Sequence, residues 1–122
     1  MVFISGEYKG LKSNYDRTVK ATKYLYENYR VFEGECMVSG IFSLPHSYDE
    51  LPYEEGLQHC LRLLEKCSSV VFLSGCEHSV GSKIEYEYLE NLPWIEKYYF
   101  DVENKNLFYV DKQNNVELIM KK

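Results

Sequence analysis

The sequence predicts a three-layer α/β domain with a mostly parallel sheet. Two continuous apolar runs, "MVFIS" at the N-terminus and "SSVVFLSG" further along, are typical of strands buried on both faces. Segments with helical periodicity separate these runs, and parallel neighbours in a sheet need helical crossovers. A chain of 122 residues is long enough for one compact core and short for two. We therefore expect a single domain over residues 1–122.

The first half of the chain reads as a strand, a helix, a strand and a second helix. "MVFIS" runs into the turn-rich "GEYKGLKSN", where Ser13 or Asn14 can cap a helix over about residues 15–29. "CMVSGIFSLP" has strand-like content that Pro45 ends. The loop "HSYDELP" then leads into a second helix over about residues 52–66.

The second half continues this alternation and then changes to strands alone. After "SSVVFLSG", Ser79 is a candidate N-cap for a third helix over residues 80–91, which Pro93 stops. "WIEKYYFDV" reads as the next strand. "NLFYV" and "VELIM", on either side of the turn residues "DKQNN", predict a C-terminal β-hairpin or two edge strands.

Composition argues against several classes of partner. The net charge is −5 with scattered Lys and Arg, so we expect no polymeric nucleic acid, although a helix start could still hold one phosphate. The four cysteines form no C-x-x-C pair and the three histidines are widely spaced, so we expect no metal and no cofactor. No apolar run reaches the ~18 residues of a membrane helix and no signal-like stretch follows Met1. We expect reduced thiols and a cytoplasmic location.

Two glycine-containing loops follow the predicted strands at the edge where α/β proteins bind ligands. They are "SGEYKG" after the first strand and "SGCEHSVGS" after "VVFL". Ligands in such sheets lie beyond the carboxyl ends of the strands, and glycine lets a ligand approach the backbone. The first turn of the third helix, formed by residues 79–82 with Ser79, Gly81 and Ser82, could offer its N–H groups to a phosphate or a hydroxyl.

Glu85 stands out because helical periodicity puts its carboxylate on an apolar face. At 100° per residue Glu85 shares a face with Gly81 and Leu89, directed toward the sheet, whereas Lys83 and Glu87 look outward. A carboxylate there is costly unless something uses or satisfies it. Periodicity alone leaves two interpretations open: a functional group, or a structural glutamate stabilised by the helix dipole or a tyrosine hydroxyl.

"FISGEYKG", followed by "YEEGLQHCLRLLEKCSSVVFLSGCEHSVGSKIEYEY", resembles small phage and bacterial proteins related to the nucleoside 2-deoxyribosyltransferases. The resemblance covers most of residues 1–90 and rests on two separated loops. It implies a flavodoxin-like or Rossmann-like sheet and an enzyme that cleaves the N-glycosidic bond of deoxynucleosides or their 5′-monophosphates.

The resemblance also implies roles for individual residues. Glu85 matches the family's glutamate nucleophile, which attacks the anomeric carbon of the sugar. Ser79 and Gly81 match residues that contact a 5′-phosphate, and Gly6 matches the first-loop glycine. Gly75 matches the glycine that opens the second loop.

Three positions depart from the family pattern. Glu7 replaces a proline, Ser68 replaces an aspartate after the helix-ending cysteine, and Cys76 replaces a tryptophan. A leaving base needs a proton donor, for which Tyr8, Glu77 and His78 are candidates, with Glu77 also the nearest counterpart of the family's base-recognising acid. The candidate substrate-binding residues are Gly6, Tyr8, Gly75, Glu77, Ser79 and Gly81, with Glu85 as the catalytic residue.

Three functions are compatible with these features. The first is transfer or hydrolysis at the N-glycosidic bond of a deoxynucleoside or its monophosphate. The second is a binding module that keeps the pocket without turnover and sequesters a nucleotide or a nucleotide-derived signal, which the departures at the loops favour. The third is a structural role through the tyrosine-rich segment "WIEKYYFDVENKNLFYV", whose exposed aromatic strands also predict a homodimer or larger homo-oligomer.

Overall fold

The computed structural model describes residues 1–6, 12–39, 53–76 and 80–122, with side chains from residue 57 in the third stretch and from residue 82 in the fourth. Over these residues the fold is mixed α/β, with three helices and one six-stranded sheet. The elements in chain order are β1 (Val2–Ser5), α1 (Lys12–Asn28), a 3-10 turn (Arg30–Phe32), β2 (Met37–Val38), α2 (Tyr53–Glu65), β3 (Ser69–Leu73), α3 (Val80–Tyr88), a second 3-10 turn (Leu89–Asn91), β4 (Glu96–Asp101), β5 (Asn106–Val110) and β6 (Val116–Ile119).

The sheet is mixed rather than uniform in strand direction. Its order is β2-β1-β3-β4-β5-β6, in which β1 pairs in parallel with β2 and β3, and β3 in parallel with β4. β5 and β6 are each antiparallel to the strand before them. A mostly parallel sheet is therefore not confirmed, because short turns join the last three strands and only antiparallel neighbours can be joined in that way. The predicted C-terminal hairpin is present as β5 and β6.

One face of the sheet packs on α1. Val2 and Ile4 of β1, and Val71 and Leu73 of β3, point to this face because alternate residues of a strand share a side. They pack with Ala21 and Leu25 of α1 in a group of buried side chains that we call the first core cluster. Its other members are Tyr29, Phe32, Tyr98, Phe100 and Leu107.

The opposite face carries the second core cluster and the element that contains Glu85. Phe3 of β1 and Val70 and Phe72 of β3 point to this face and pack with Leu64 of α2. The segment after α3 closes the cluster with the buried side chains of Leu89, Leu92 and Ile95. The buried thiol of Cys67 and the half-buried thiol of Cys60 belong to this face too. Helices therefore contribute to the core on both faces of the sheet.

Two helix boundaries differ from the predicted ones. α1 begins at Lys12, so Ser13 and Asn14 lie inside the helix instead of capping it. Serine and asparagine cost only a few tenths of a kcal/mol inside a helix, so their preference for caps does not fix the boundary. α3 keeps its predicted start at Val80, but its last turn over residues 89–91 tightens into a 3-10 turn before Leu92.

The C-terminal hairpin forms the exposed edge of the sheet. Asp111 closes its turn by accepting hydrogen bonds at Oδ1 from the backbone N–H groups of Gln113 (2.9 Å) and Asn115 (2.8 Å). On β6, Val116 and Leu118 remain 62% and 50% exposed. This edge therefore presents apolar side chains that the described residues leave uncovered.

Candidate functional site

The candidate site lies where the strand order changes direction. β1 lies between β2 and β3, so the chain adds β2 on one side of β1 and β3 on the other side. In open α/β sheets such a point is the usual location of a ligand crevice. Ser5 ends β1 there, and Ser74 and Gly75 follow the end of β3.

Both predicted loop glycines have a structural reason to be glycine. A Cβ at Gly6 would lie 3.1 Å from both Leu73 Cδ1 and Thr18 Oγ1, closer than ordinary contact. Gly75 has φ +93°, a conformation that residues with a side chain rarely adopt. The two positions therefore keep the backbone compact at the carboxyl edge of the sheet, whether or not a ligand approaches it.

An arginine and a glutamate lie beside the end of β3. Arg17 Nη2 donates to Ser74 Oγ (3.0 Å) and to Glu103 Oε1 (2.8 Å), and the Ser74 hydroxyl donates to Glu103 Oε2 (2.9 Å). The Val102 N–H completes the arrangement by donating to Ser74 Oγ (3.0 Å). The hydrogen bond from Arg17 and the one from Ser74 lower the pKa of Glu103 to about 2. The network ties α1 to the ends of β3 and β4.

Glu85 points inward, as the periodicity of α3 predicts. Its side chain is only 8% exposed, whereas Lys83 and Glu87 on the other side of the helix are exposed. The carboxyl oxygen Oε1 accepts a hydrogen bond of 3.3 Å from the Ser5 hydroxyl at the end of β1. Ser5 Oγ also lies 2.9 Å from the Ser82 hydroxyl, one turn earlier on α3. The three side chains form one buried cluster between the helix and the strand end.

The second carboxyl oxygen of Glu85 is buried and has no hydrogen-bond partner among the residues that the structure describes. Removing an oxygen of this kind from water without a partner costs free energy, and more when the group is ionised. Burial therefore raises the pKa of Glu85 to about 8, although the Ser5 hydrogen bond acts in the opposite direction. At neutral pH the carboxyl group is mainly protonated in the folded protein.

The thiol of Cys60 faces this cluster from α2. Burial, followed by the charge of an ionised Glu85, raises the pKa of Cys60 to about 12. The thiol consequently stays neutral across the range in which Glu85 titrates, and it neither attracts nor repels the carboxylate strongly. All four cysteines are free thiols.

Replacing Glu85 by glutamine should remove a pH-dependent loss of stability. Because the pKa rises from 4.5 unfolded to about 8 folded, the folded state binds more protons between these values. The free energy of unfolding should then fall by ~1 kcal/mol per pH unit across this window, and the Glu85→Gln protein should lack that slope. Urea unfolding at pH 5, 6, 7 and 8 measures it, with the exposed Glu90→Gln variant as the control. Equal slopes in the wild type and Glu85→Gln would contradict a raised pKa.

A cavity of about 490 Å³ lies on the outer flank of α3, over the part of the sheet formed by β4, β5 and β6. Phe72, Tyr86 and Tyr99 are aromatic residues of its lining, and Lys83 and Lys97 belong to the lining as well. The Ser82 side chain belongs to this lining as well as to the cluster with Glu85. Cys76, which stands where the resembling family has tryptophan, also lines the cavity. A cavity of this volume lies within the range that encloses small-molecule ligands.

The structure places some of the predicted site residues and not others. Gly6 follows β1, Gly75 lies two residues after β3, Gly81 lies in the first turn of α3, and Glu85 lies one turn further on. Three predicted residues lie outside the described residues, together with the candidate proton donor His78. These three are Tyr8, Glu77 and Ser79.

Sequence reasoning placed Ser82 in the first turn of α3 but included neither Ser82 nor Ser5 among the predicted site residues. Ser82 precedes Glu85 by three residues, so helical spacing on one face could have indicated it. Ser5 lies 80 positions before Glu85 and follows an apolar run with no periodic signal. The pairing of Arg17 with Glu103 could not be predicted for a similar reason, because the two residues are 86 positions apart.

No group of three or more side chains that could hold a metal ion occurs in the described part of the chain. None of the helices within the described ranges is long and apolar enough to cross a membrane.

Comparison with known proteins gives one match. The family model described as "Domain of unknown function (DUF4406)" matches residues 1–95. No curated protein and no solved structure gives a significant match.

Proposed function

Because the chain belongs to the DUF4406 family, a domain of unknown function, we propose its activity from the site itself: cleavage of an N-glycosidic bond with Glu85 as nucleophile. The substrate in this proposal is a deoxynucleoside or its 5′-monophosphate. The observation that carries it is the inward carboxyl group of Glu85, whose oxygen Oε2 is buried without a hydrogen-bond partner among the described residues, at the carboxyl edge of the sheet where α/β proteins usually bind ligands. A buried polar atom with no partner is a candidate for contact with a ligand.

The proposed chemistry uses the carboxylate in a two-step displacement. Oε2 attacks the anomeric carbon, the bond from that carbon to the base nitrogen breaks, and the base leaves with the electron pair and takes up a proton. Water, or a second base, then attacks the same carbon and releases the carboxylate. A low-polarity site favours this reaction because the carboxylate acts on the positive charge that develops on the sugar ring.

The features around Glu85 agree with a nucleoside-sized ligand. α3 begins at Val80, so its free N–H groups lie about one turn before Glu85, near enough for one sugar phosphate to reach both. The cavity on the outer flank of α3 has aromatic rings on which a base can stack; it meets the Glu85 cluster at Ser82, and Glu85 is not among its lining residues. The four parallel strands have the order β2-β1-β3-β4, as in a flavodoxin-like sheet, although β5 is antiparallel here; this order supports a fold related to the nucleoside 2-deoxyribosyltransferases.

A covalent trap tests the proposal. The protein is incubated with deoxynucleosides, their 5′-monophosphates and a 2′-fluoroarabinosyl nucleoside, whose fluorine slows the second step. We expect free base by chromatography and a sugar adduct on the peptide that contains Glu85 by mass spectrometry. The Glu90→Gln protein, altered at an exposed position on the same segment, should form the same adduct. An adduct on another residue would remove Glu85 from the nucleophilic role.

The second candidate function is binding without turnover. It is favoured by the pKa of Glu85, about 8, because a protonated carboxyl group is not a nucleophile at neutral pH. In that case nucleotides would raise the melting temperature while neither base nor adduct formed. A ligand at 100 times its dissociation constant adds about 2.7 kcal/mol of stability.

We propose a cytoplasmic location, because four cysteines without a disulfide are typical of a reducing compartment. A homodimer or larger homo-oligomer belongs to it as well, because β6 leaves Val116 and Leu118 exposed. Light scattering of the purified protein tests the oligomeric state.

A further inference from the structure

We propose that Ser5 is a positioning residue of this site, whose hydroxyl holds Oε1 of Glu85 so that Oε2 is the oxygen that meets the substrate. The inference rests on the proposed function for its chemistry and on the hydrogen-bond geometry for its content. Ser5 is 2% exposed and is held by the backbone pairing of β1 with β3, where it lies opposite Phe72. A hydroxyl on a central strand is a fixed point from which a helical side chain can be oriented.

The number of hydroxyl hydrogens determines the direction of the hydrogen bonds in this cluster. Each serine hydroxyl carries one hydrogen, so when Ser5 donates to Glu85 Oε1 it has none left for Ser82. The contact of 2.9 Å between the two serines is then a hydrogen bond that Ser82 donates and Ser5 accepts. The chain runs from Ser82 through Ser5 to Glu85 and ends on the carboxylate. Two donors in series favour the ionised form of the acid.

The same chain can run in the opposite direction when Glu85 is protonated. A proton on Oε1 can be donated to Ser5 Oγ, and Ser5 can then donate to Ser82. The heavy atoms keep their positions while the hydroxyl groups rotate. The site can therefore hold the carboxyl group in one orientation in both protonation states.

The two carboxyl oxygens of Glu85 have different roles in this arrangement. Oε1 is occupied by Ser5 in either state, whereas Oε2 remains unpartnered among the described residues. Without the Ser5 hydroxyl neither carboxyl oxygen would have a hydrogen-bond partner among the described residues, and ionisation would become harder. Among the described side chains of α2, Cys60 is close enough for its pKa to respond to Glu85, and its thiol remains neutral because burial raises its pKa to about 12.

Three variants separate a positioning role from a merely structural one. Ser5→Ala removes the donor, Ser5→Thr keeps a hydroxyl at the same place, and Ser82→Ala removes the group that donates to Ser5. Carboxyl ¹³C NMR of glutamate-labelled protein follows the titration of Glu85 directly, with the Glu85→Gln spectrum to assign its signal. This measurement needs no turnover, so it decides the role of Ser5 even if the proposed enzyme activity fails.

We expect the titration midpoint of Glu85 to move up by about one pH unit in Ser5→Ala, by less in Ser82→Ala, and to return toward the wild-type value in Ser5→Thr. Base release at a pH well above the midpoint should remain ~10-fold slower in Ser5→Ala, because the carboxylate is then ionised but misplaced. An unchanged midpoint in both alanine variants would overturn the proposal. If Ser5→Ala does not fold, Ser82→Ala and Ser5→Thr decide it by the same titration. Absence of base release in the wild type would instead count against the proposed function.

Discussion

Glu85→Gln should lower kcat/KM for base release by at least ~10³-fold, because an amide cannot attack the anomeric carbon and form the sugar ester. Glutamine keeps the size of the side chain and can still accept the Ser5 hydrogen bond at Oε1. The loss should therefore appear in the rate of the chemical step, while nucleotide binding measured by calorimetry changes little. Glu90→Gln, whose side chain is exposed, is the matched control and should retain full activity.

The pH dependence of the wild type gives a second view of the same group. A nucleophile acts in its ionised form, so kcat/KM should rise about tenfold per pH unit below the pKa and level off above about 8. A general acid acts in its protonated form and would give the opposite profile, with activity falling above about 8. Base release that proceeds unchanged in Glu85→Gln, or a profile that falls with pH, would rule out the nucleophilic role.

Phe3→Ala should destabilise the protein by ~3–5 kcal/mol, the usual cost of removing a large aromatic side chain from a packed core. Phe3 is 2% exposed and belongs to the second core cluster. Its neighbours lie on β3, on α2 and on the segment after α3. Because each of these is fixed by its own packing, they cannot move into the space that the ring leaves. A loss of this size is a large part of the 5–15 kcal/mol typical of a domain.

Urea unfolding measures this loss, with Phe3→Leu as the conservative variant and Val19→Ala as the surface control. Phe3→Leu keeps an apolar side chain and should lose ~1–2 kcal/mol, whereas Val19 is 40% exposed on α1 and should change stability by less than ~0.5 kcal/mol. A loss below about 1 kcal/mol in Phe3→Ala would mean that the second core cluster can repack around the vacancy.

The parts of the fold that the sequence predicted well are those in which one physical demand dominates. "MVFIS" and "SSVVFLSG" became β1 and β3 because a strand covered on both faces must be apolar throughout. The C-terminal hairpin followed from turn residues between two short apolar runs. The start of α1 was less predictable, because Ser13 and Asn14 suit a cap and are also tolerated in the first turn of a helix, where they lie here.

The candidate site divides in the same way. Glu85 was predictable because its inward direction depends on helical spacing alone, and its burial confirms that direction. Its partner Ser5 was not, because their contact depends on how α3 lies on β1 across 80 positions of sequence. The pKa of Glu85 depends on that packing too, since burial is its main cause. Spacing can indicate which residue points inward, but the chemical state of that residue depends on neighbours brought by tertiary structure.

The end of the matched segment is a poor place to truncate this chain. The match ends at residue 95, but β4 begins at Glu96 and bonds to β3 from Ser69 to Leu73. Phe100 and Leu107, further on, are almost fully buried on the α1 face. A fragment cut at the family boundary would turn the most apolar strand of the sheet into an open edge, and its bare amide groups would recruit strands from other molecules into aggregates.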